Sequence, residues 1–129
     1  MQDIYEGNAF EDGKDTRGWI VGNFLPNWTG LHKTKDVEIK WSHHPAGWKR
    51  GEWVTNETRT TIGILISGSC NCLFREKVIT LSKQGDYVMW GPGVDHNWEA
   101  ITDCLFLTVR WPSISEIQEE PATTTTWPV

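Results

Sequence analysis

The chain is poor in the features that mark nucleic-acid binding, membrane insertion or export. Positive charge is scarce: 12 lysines and arginines stand against 17 aspartates and glutamates in 129 residues, a formal charge of −5. A nucleic-acid partner requires a basic patch to neutralise phosphates. The one gathering of lysines, Lys33, Lys35 and Lys40, is interrupted by Asp36 and Glu38 and reads as a solvated strand edge. Long apolar runs are missing too. The longest, Ile62 to Ile66, is far short of the roughly 20 residues a membrane helix needs. The N-terminal stretch MQDIYEGNAFEDGKDTRG is acidic and has no apolar centre, so no signal peptide is expected. Without export, the glycosylation patterns Asn27-Trp28-Thr29 and Asn56-Glu57-Thr58 carry no weight. Cysteine is sparse, with Cys70, Cys72 and Cys104 only, an odd number that suits reduced thiols. Cys70 and Cys72 share a strand face, but a closed metal site takes about four ligands. These absences point to a cytoplasmic protein with neither a nucleic-acid nor a membrane partner.

Tryptophan is present in excess. Nine are spread from Trp19 to Trp127 rather than clustered. Such a spread suits a β core or a subunit contact; ring stacking on a sugar or a quaternary ammonium is the other use. Charged residues make up 22% of the chain, too few and too mixed for a disordered composition, and the length predicts one domain.

Strand signals dominate the order along the chain. Val37, Ile39 and Trp41 alternate with Glu38, Lys40 and Ser42, the period of two expected of a half-buried strand. Thr58 to Ser67 is β-branched and apolar, and ends at Gly68. Cys70 to Phe74 and Val78 to Leu81 read as a hairpin turning at Arg75-Glu76-Lys77. Tyr87 to Trp90 is a short strand, followed by the turn Gly91-Pro92-Gly93. Asn97 to Ile101 and Cys104 to Trp111 form a pair, and Pro112 ends the last strand because it cannot donate to a ladder. Ile4-Tyr5 and Trp19 to Val21 read as edge strands, and 24–30 and 45–56 as loops. Ile114 to Glu120 reads as a turn or two of helix after Ser113, and the tail from Thr123 as a frayed or docked terminus. The resulting plan is N-terminal edge strands and loops over 1–36, a barrel over 37–112 and a tail over 113–129. Some eight short strands separated by Gly, Pro and Asp turns predict an all-β sandwich or barrel.

The segment Gly85-Asp86-Tyr87-Val88-Met89-Trp90-Gly91-Pro92-Gly93-Val94-Asp95-His96 resembles the second motif of the cupin family, with Gly85, Gly93 and His96 in place and the proline one position late. Gly68 matches the closing glycine of the first motif, and the 16 residues between it and Gly85 match the usual gap. The rest of that motif departs from the pattern. Seven residues before Gly68 stands Thr61 where the family has Glu, and no His-x-His lies just upstream. The resemblance covers about the last two thirds of the chain. It implies a double-sheet jelly roll, a cavity in the barrel mouth, and pairing of two copies as a homodimer.

The resemblance also implies histidines and a carboxylate converging on a divalent transition metal (Fe, Mn, Ni, Cu or Zn), or a cavity that has lost it. The candidates for that role are His96, His44, His43 and Glu57, with Glu52 as another acid. Adjacent histidines on a strand face opposite ways. Continuing the face of Val37, Ile39 and Trp41 puts His43 inside; a strand that ends or bulges near Ser42 turns His44 in, and the resemblance favours His44. Arg110 faces the cavity if the opposite face of the last strand, Leu105, Leu107, Val109 and Trp111, packs outward. It is then placed to clamp a substrate carboxylate. Tyr87, Trp98 and Trp53 are the aromatic candidates for the pocket wall. Two functions stand open: a metal-dependent enzyme of dioxygenase, isomerase or lyase type, and a metal-free cupin that binds or senses a small ligand.

Overall fold

The computed structural model describes residues 3–25 and 29–114. Among these residues, eight strands form two antiparallel sheets. The larger is built from β1 (Trp19–Val21), β2 (Glu38–His44), β3 (Thr60–Ser67), β6 (Tyr87–Trp90) and β8 (Cys104–Trp111), in the order β1-β2-β8-β3-β6. The smaller holds β4 (Cys70–Phe74), β5 (Lys77–Leu81) and β7 (His96–Ala100), in the order β5-β4-β7. The last strand therefore inserts between β2 and β3, which are consecutive in sequence. The strands from β2 onward lie within a residue or two of their expected positions.

The N-terminal region differs from expectation. Ile4 and Tyr5 form no strand. A short helix, α1 (Ala9–Gly13), follows instead, capped by the Asn8 side chain accepting from the Glu11 amide. The helix expected over Ile114 to Glu120 and the tail beyond it lie outside the described residues. No described helix is long and apolar enough to cross a membrane.

Sheet faces invert the simplest reading of the alternation. On β2, Glu38, Ser42 and His44 are buried, while Ile39, Trp41 and His43 are only partly covered and face out. The same holds across the sheet: Thr61, Leu65, Val88 and Phe106 turn in, while Ile62, Ile64, Tyr87, Met89, Leu107 and Val109 turn out. Cross-strand partners share a face, so these outward side chains form one continuous apolar surface.

Inside, one half of the barrel is packed with Leu65, Cys70, Cys72, Leu81, Val88, Ala100, Cys104 and Phe106. The end beyond Thr61 and Arg110 is closed by an ionic cluster. Arg59, 1% exposed, donates Nε and Nη2 to Glu57 and Nη1 to Glu38, at 2.6, 2.6 and 2.5 Å. Glu38, fully buried, also accepts from Arg110 Nε at 2.8 Å, the Ser113 hydroxyl at 3.0 Å and the Ile114 amide at 3.1 Å. Every charge in the cluster faces an opposite one, the condition on which buried ions are tolerated.

Candidate functional site

Between the polar cluster and the apolar half lies a cavity of about 100 Å³. Strand β2 supplies Lys40, Ser42 and His44, β3 supplies Thr61, and β8 supplies Phe106, Thr108 and Arg110. Trp90, His96 and Trp98 come from β6 and β7, and Trp19 from β1. The remaining wall is the loop over 45–56, which contributes Trp48 and Arg50. That loop is laid along β7 as a further edge. The Lys49–Glu99 and Val54–His96 bridges pin it, with Arg50 N donating to Trp98 O at 3.0 Å and Ala100 N to Trp48 O at 2.8 Å. A wider hollow of about 570 Å³ between β5 and β6 is open and walled in part by the solvated Arg75, Glu76 and Lys77. Polar groups converge in the first cavity, which is the candidate site.

The two imidazoles reach it from opposite sheets. His44 is buried and stacks on Trp48, with ring centroids 4.1 Å apart and planes 22° apart; Trp98 lies 5.0 Å from it. His96 follows the Gly91-Pro92-Gly93 turn and packs 4.7 Å from Trp90. Its Nδ1 lies 3.0 Å from the Val94 carbonyl, which can only accept. Nδ1 therefore carries the proton and Nε2 is left as the acceptor of a neutral ring. Burial holds the His96 pKa below the usual 6.5, and the nearby Arg50 and Arg110 charges push the same way, against the Val94 hydrogen bond and the Glu57 charge. At neutral pH His96 is uncharged.

Other candidates fall elsewhere. His43, beside His44, points to the outer face, because the inner face of β2 is the polar one. Glu57 is not in the wall. Its carboxylate is held by Arg59 and by the Thr58 and Arg59 amides. Burial pushes the Glu57 pKa up, but the Arg59 hydrogen bonds and charge, with Arg110, outweigh it and hold the group below its usual value. Glu52 is exposed on the loop. Among the described residues, no three His, Cys, Asp or Glu side chains gather as a metal-binding group. A catalytic metal site typically keeps three protein ligands; the described residues of the cavity wall supply two imidazoles and no carboxylate.

Arg110 does line the cavity, yet it is partly committed: Nε binds Glu38 and the guanidinium sits 4.3 Å over the Trp19 ring. Burial and the Arg59 charge lower its pKa, but a guanidinium stays charged. Trp98 lines the site as expected. Tyr87 does not: it is 60% exposed on the outer face of β6, and its neighbour Trp90 takes the inward position. Trp53 stacks under Arg75, 4.1 Å away, outside the wall. Trp48, Arg50 and Thr61 were not anticipated as site residues. The signal for Thr61 was nonetheless in the sequence, since it occupies the position where the first cupin motif has Glu. Trp48 and Arg50 sit in a loop whose pairing with β7 no local pattern announces.

Several polar atoms at this site are buried without a hydrogen-bond partner: the indole nitrogens of Trp48 and Trp90 and the Thr61 hydroxyl. Each costs about 1–3 kcal/mol if left dry. The Trp98 indole nitrogen is likewise buried without a hydrogen-bond partner, and beside it the Cys72 interaction and burial push the Cys70 thiol's pKa up, so it stays protonated. Groups held in this state are those a bound molecule or water would satisfy.

No protein-family profile and no curated relative matches the sequence. Solved structures do match the fold. A cupin-2 domain protein from Shewanella frigidimarina aligns over 67% of this chain and 82% of its own, with TM-score 0.51 and 20% identity. KdgF from Halomonas sp. aligns over 63% and 73%, with TM-score 0.57 and 21% identity. A cupin protein from Bacteroides fragilis aligns over 70% and 78%, with TM-score 0.55 and 18% identity. With two antiparallel sheets closed around a cavity behind the Gly-Pro-Gly-x-x-His turn, the chain has the jelly-roll fold of these small cupin domains.

Proposed function

We propose that this chain is a metal-free cupin that binds a compact small molecule in the cavity between His44 and His96. The observation that carries this reading is the composition of the wall: among the described residues it holds two imidazoles, no carboxylate, and the buried indole donors of Trp48 and Trp90 without an acceptor. The cavity lies below the roughly 300–1,000 Å³ of pockets for drug-sized ligands, so the occupant has few non-hydrogen atoms. The metal-dependent reading remains the alternative, resting on His44, His96 and the fold. Elemental analysis of the purified protein separates the two. The expected result is no stoichiometric Fe, Mn, Ni, Cu or Zn, and none gained on incubation with each ion; retention of one equivalent that His96→Ala abolishes would reject the proposal.

The partner on the outer sheet face is a second copy of the chain. The outward positions of β2, β8, β3 and β6 hold no Asp, Glu, Lys or Arg. Such a face carries no charge to repel its own image. Four strands at about 4.8 Å spacing and about 20 Å length present a flat area of about 400 Å². Side-chain relief brings two such faces to on the order of 1,000 Å² buried, the threshold for a stable pair. The three buried, unpaired cysteines accord with a cytoplasmic setting.

A further inference from the structure

Thr61 and Trp90 are partners across the β3–β6 ladder and so share its inward face. Both line the cavity, and among the described residues neither the Thr61 hydroxyl nor the Trp90 indole nitrogen has a hydrogen-bond partner. Thr61 is 2% exposed, so its hydroxyl is cut off from bulk water. His96 packs on the same indole, with ring centroids 4.7 Å apart. Its Nδ1–H is taken by the Val94 carbonyl, which leaves Nε2 as the acceptor of the ring. This stretch of wall therefore holds an indole that only donates, an imidazole nitrogen that accepts, and a hydroxyl that does either. Arg110, the other cross-strand partner of Thr61, is turned to Glu38 and to the Trp19 ring, and Lys40 lies 5.5 Å over that ring as well. Flat rings make up much of what remains: Trp48 stacked on His44, with Trp98 5.9 Å from Trp48 and 5.3 Å from Phe106. A carboxylate or a ketone brings acceptors to the indole but no proton to Nε2, and an ammonium brings the reverse. A hydroxyl satisfies both through one oxygen, and a second hydroxyl on the next carbon serves Thr61.

We infer that the cavity selects a compact polyhydroxylated molecule, one hydroxyl accepting from the Trp90 indole and donating to His96 Nε2, a neighbouring hydroxyl paired with Thr61, and the carbon-bound hydrogens held by the ring faces. This inference rests on the metal-free binding reading above. Selectivity comes from the cost of mismatch: a ligand of the same shape without its hydroxyls leaves the buried wall groups unpaired.

The test is a nuclear magnetic resonance titration of the intact ¹⁵N-labelled protein, following the Trp90 indole signal, assigned with Trp90→Phe, and the His96 ring nitrogens, assigned with His96→Gln. The probes are glycerol, diethylcarbinol (the same frame with methyls in place of the outer hydroxyls), diethyl ketone, which has no hydroxyl, and propionate, which has acceptors and a charge but no hydroxyl. Glycerol is expected to shift both sets of signals saturably, with affinity at least about tenfold tighter than each of the others. Thr61→Val is expected to weaken glycerol at least about tenfold while leaving diethylcarbinol within about threefold, and Thr61→Ser to bind glycerol as the wild type does. Diethylcarbinol or the ketone binding as tightly as glycerol would overturn the hydroxyl selectivity and leave the binding cavity intact; tighter propionate would overturn it in favour of an anion. If Thr61→Val binds glycerol unchanged, or if none of the four probes moves the signals, the inference fails. Broadening of the His96 signals by one equivalent of Ni(II) would reject the metal-free reading itself.

Discussion

At the scale of single residues, Arg59 is the pivot of the closed end of the barrel. It is 1% exposed and spans two carboxylates that are themselves almost fully buried. Removing one partner from a buried ion cluster costs about 3–5 kcal/mol, because the remaining charges are stranded. Arg59→Met is expected to lose that amount in urea unfolding at pH 7. The dependence on pH should also change sign. In the wild type the folded-state pKa of Glu57 is depressed, so its contribution is complete above the ordinary value of 4.5 and disappears as pH falls through the folded one. Without Arg59 the buried carboxyls prefer their protons, and the variant should recover part of its deficit between pH 6 and 4. Parallel pH profiles for the two proteins would contradict this account. None of the cluster was legible in the sequence. Glu57 and Glu38 look like ordinary solvated acids until the register sets Glu38 opposite Arg110 and the interior gathers Arg59 beside them.

At the scale of elements, the turns and strand limits were readable because each depends on a few adjacent residues. Gly85 and Gly93 do adopt positive φ, 92° and 81°. Gly68 does so too, at 84°, and carries a second constraint: a Cβ there would collide with the Asp103 carbonyl and sit 2.7 Å from the Cys104 Cβ. Gly85 has open space around the same position. The two glycines therefore separate strain from collision. Gly85→Ala should cost about 1 kcal/mol, the backbone penalty alone, and Gly68→Ala more than about 2 kcal/mol, with the β3–β4 and β7–β8 connections displaced. Thermal unfolding of the pair measures the difference, and equal losses would show that the close approach relaxes freely. Which face of a strand points inward was much harder to read. Val37, Ile39 and Trp41 obey the rule for a buried face, yet they lie outside, because this interior is polar around a cavity and this exterior is apolar. Alternation reports two faces and is silent on their assignment whenever both the core and the surface break the usual contrast. His44 rather than His43 facing inward follows from that inversion.

At the scale of the molecule, the apolar exterior predicts self-association. Met89, 50% exposed on the outward face of the edge strand β6, should tolerate Glu in the isolated fold but not in a paired one. Sedimentation at micromolar concentration is expected to give a dimer for the wild type and a monomer for Met89→Glu, with unchanged circular dichroism; a wild-type monomer would discard the pairing. The jelly roll as a whole was legible from strand count and the Gly-x-x-His turn, whereas the cavity was not, since its walls come from β1, β2, β3, β6, β7, β8 and one loop. That loop has a consequence of its own. Trp48 and Arg50 ride on a ribbon fastened to β7 at two bridges, with Gly47 and Gly51 at positive φ, next to those two residues, and nothing crowding either glycine. The barrel does not need this ribbon for its own sheet order, so a dozen residues can be exchanged like an interchangeable faceplate. Under the proposed binding role, a change in this ribbon would alter what the cavity accepts while leaving the sheets that frame it as they are.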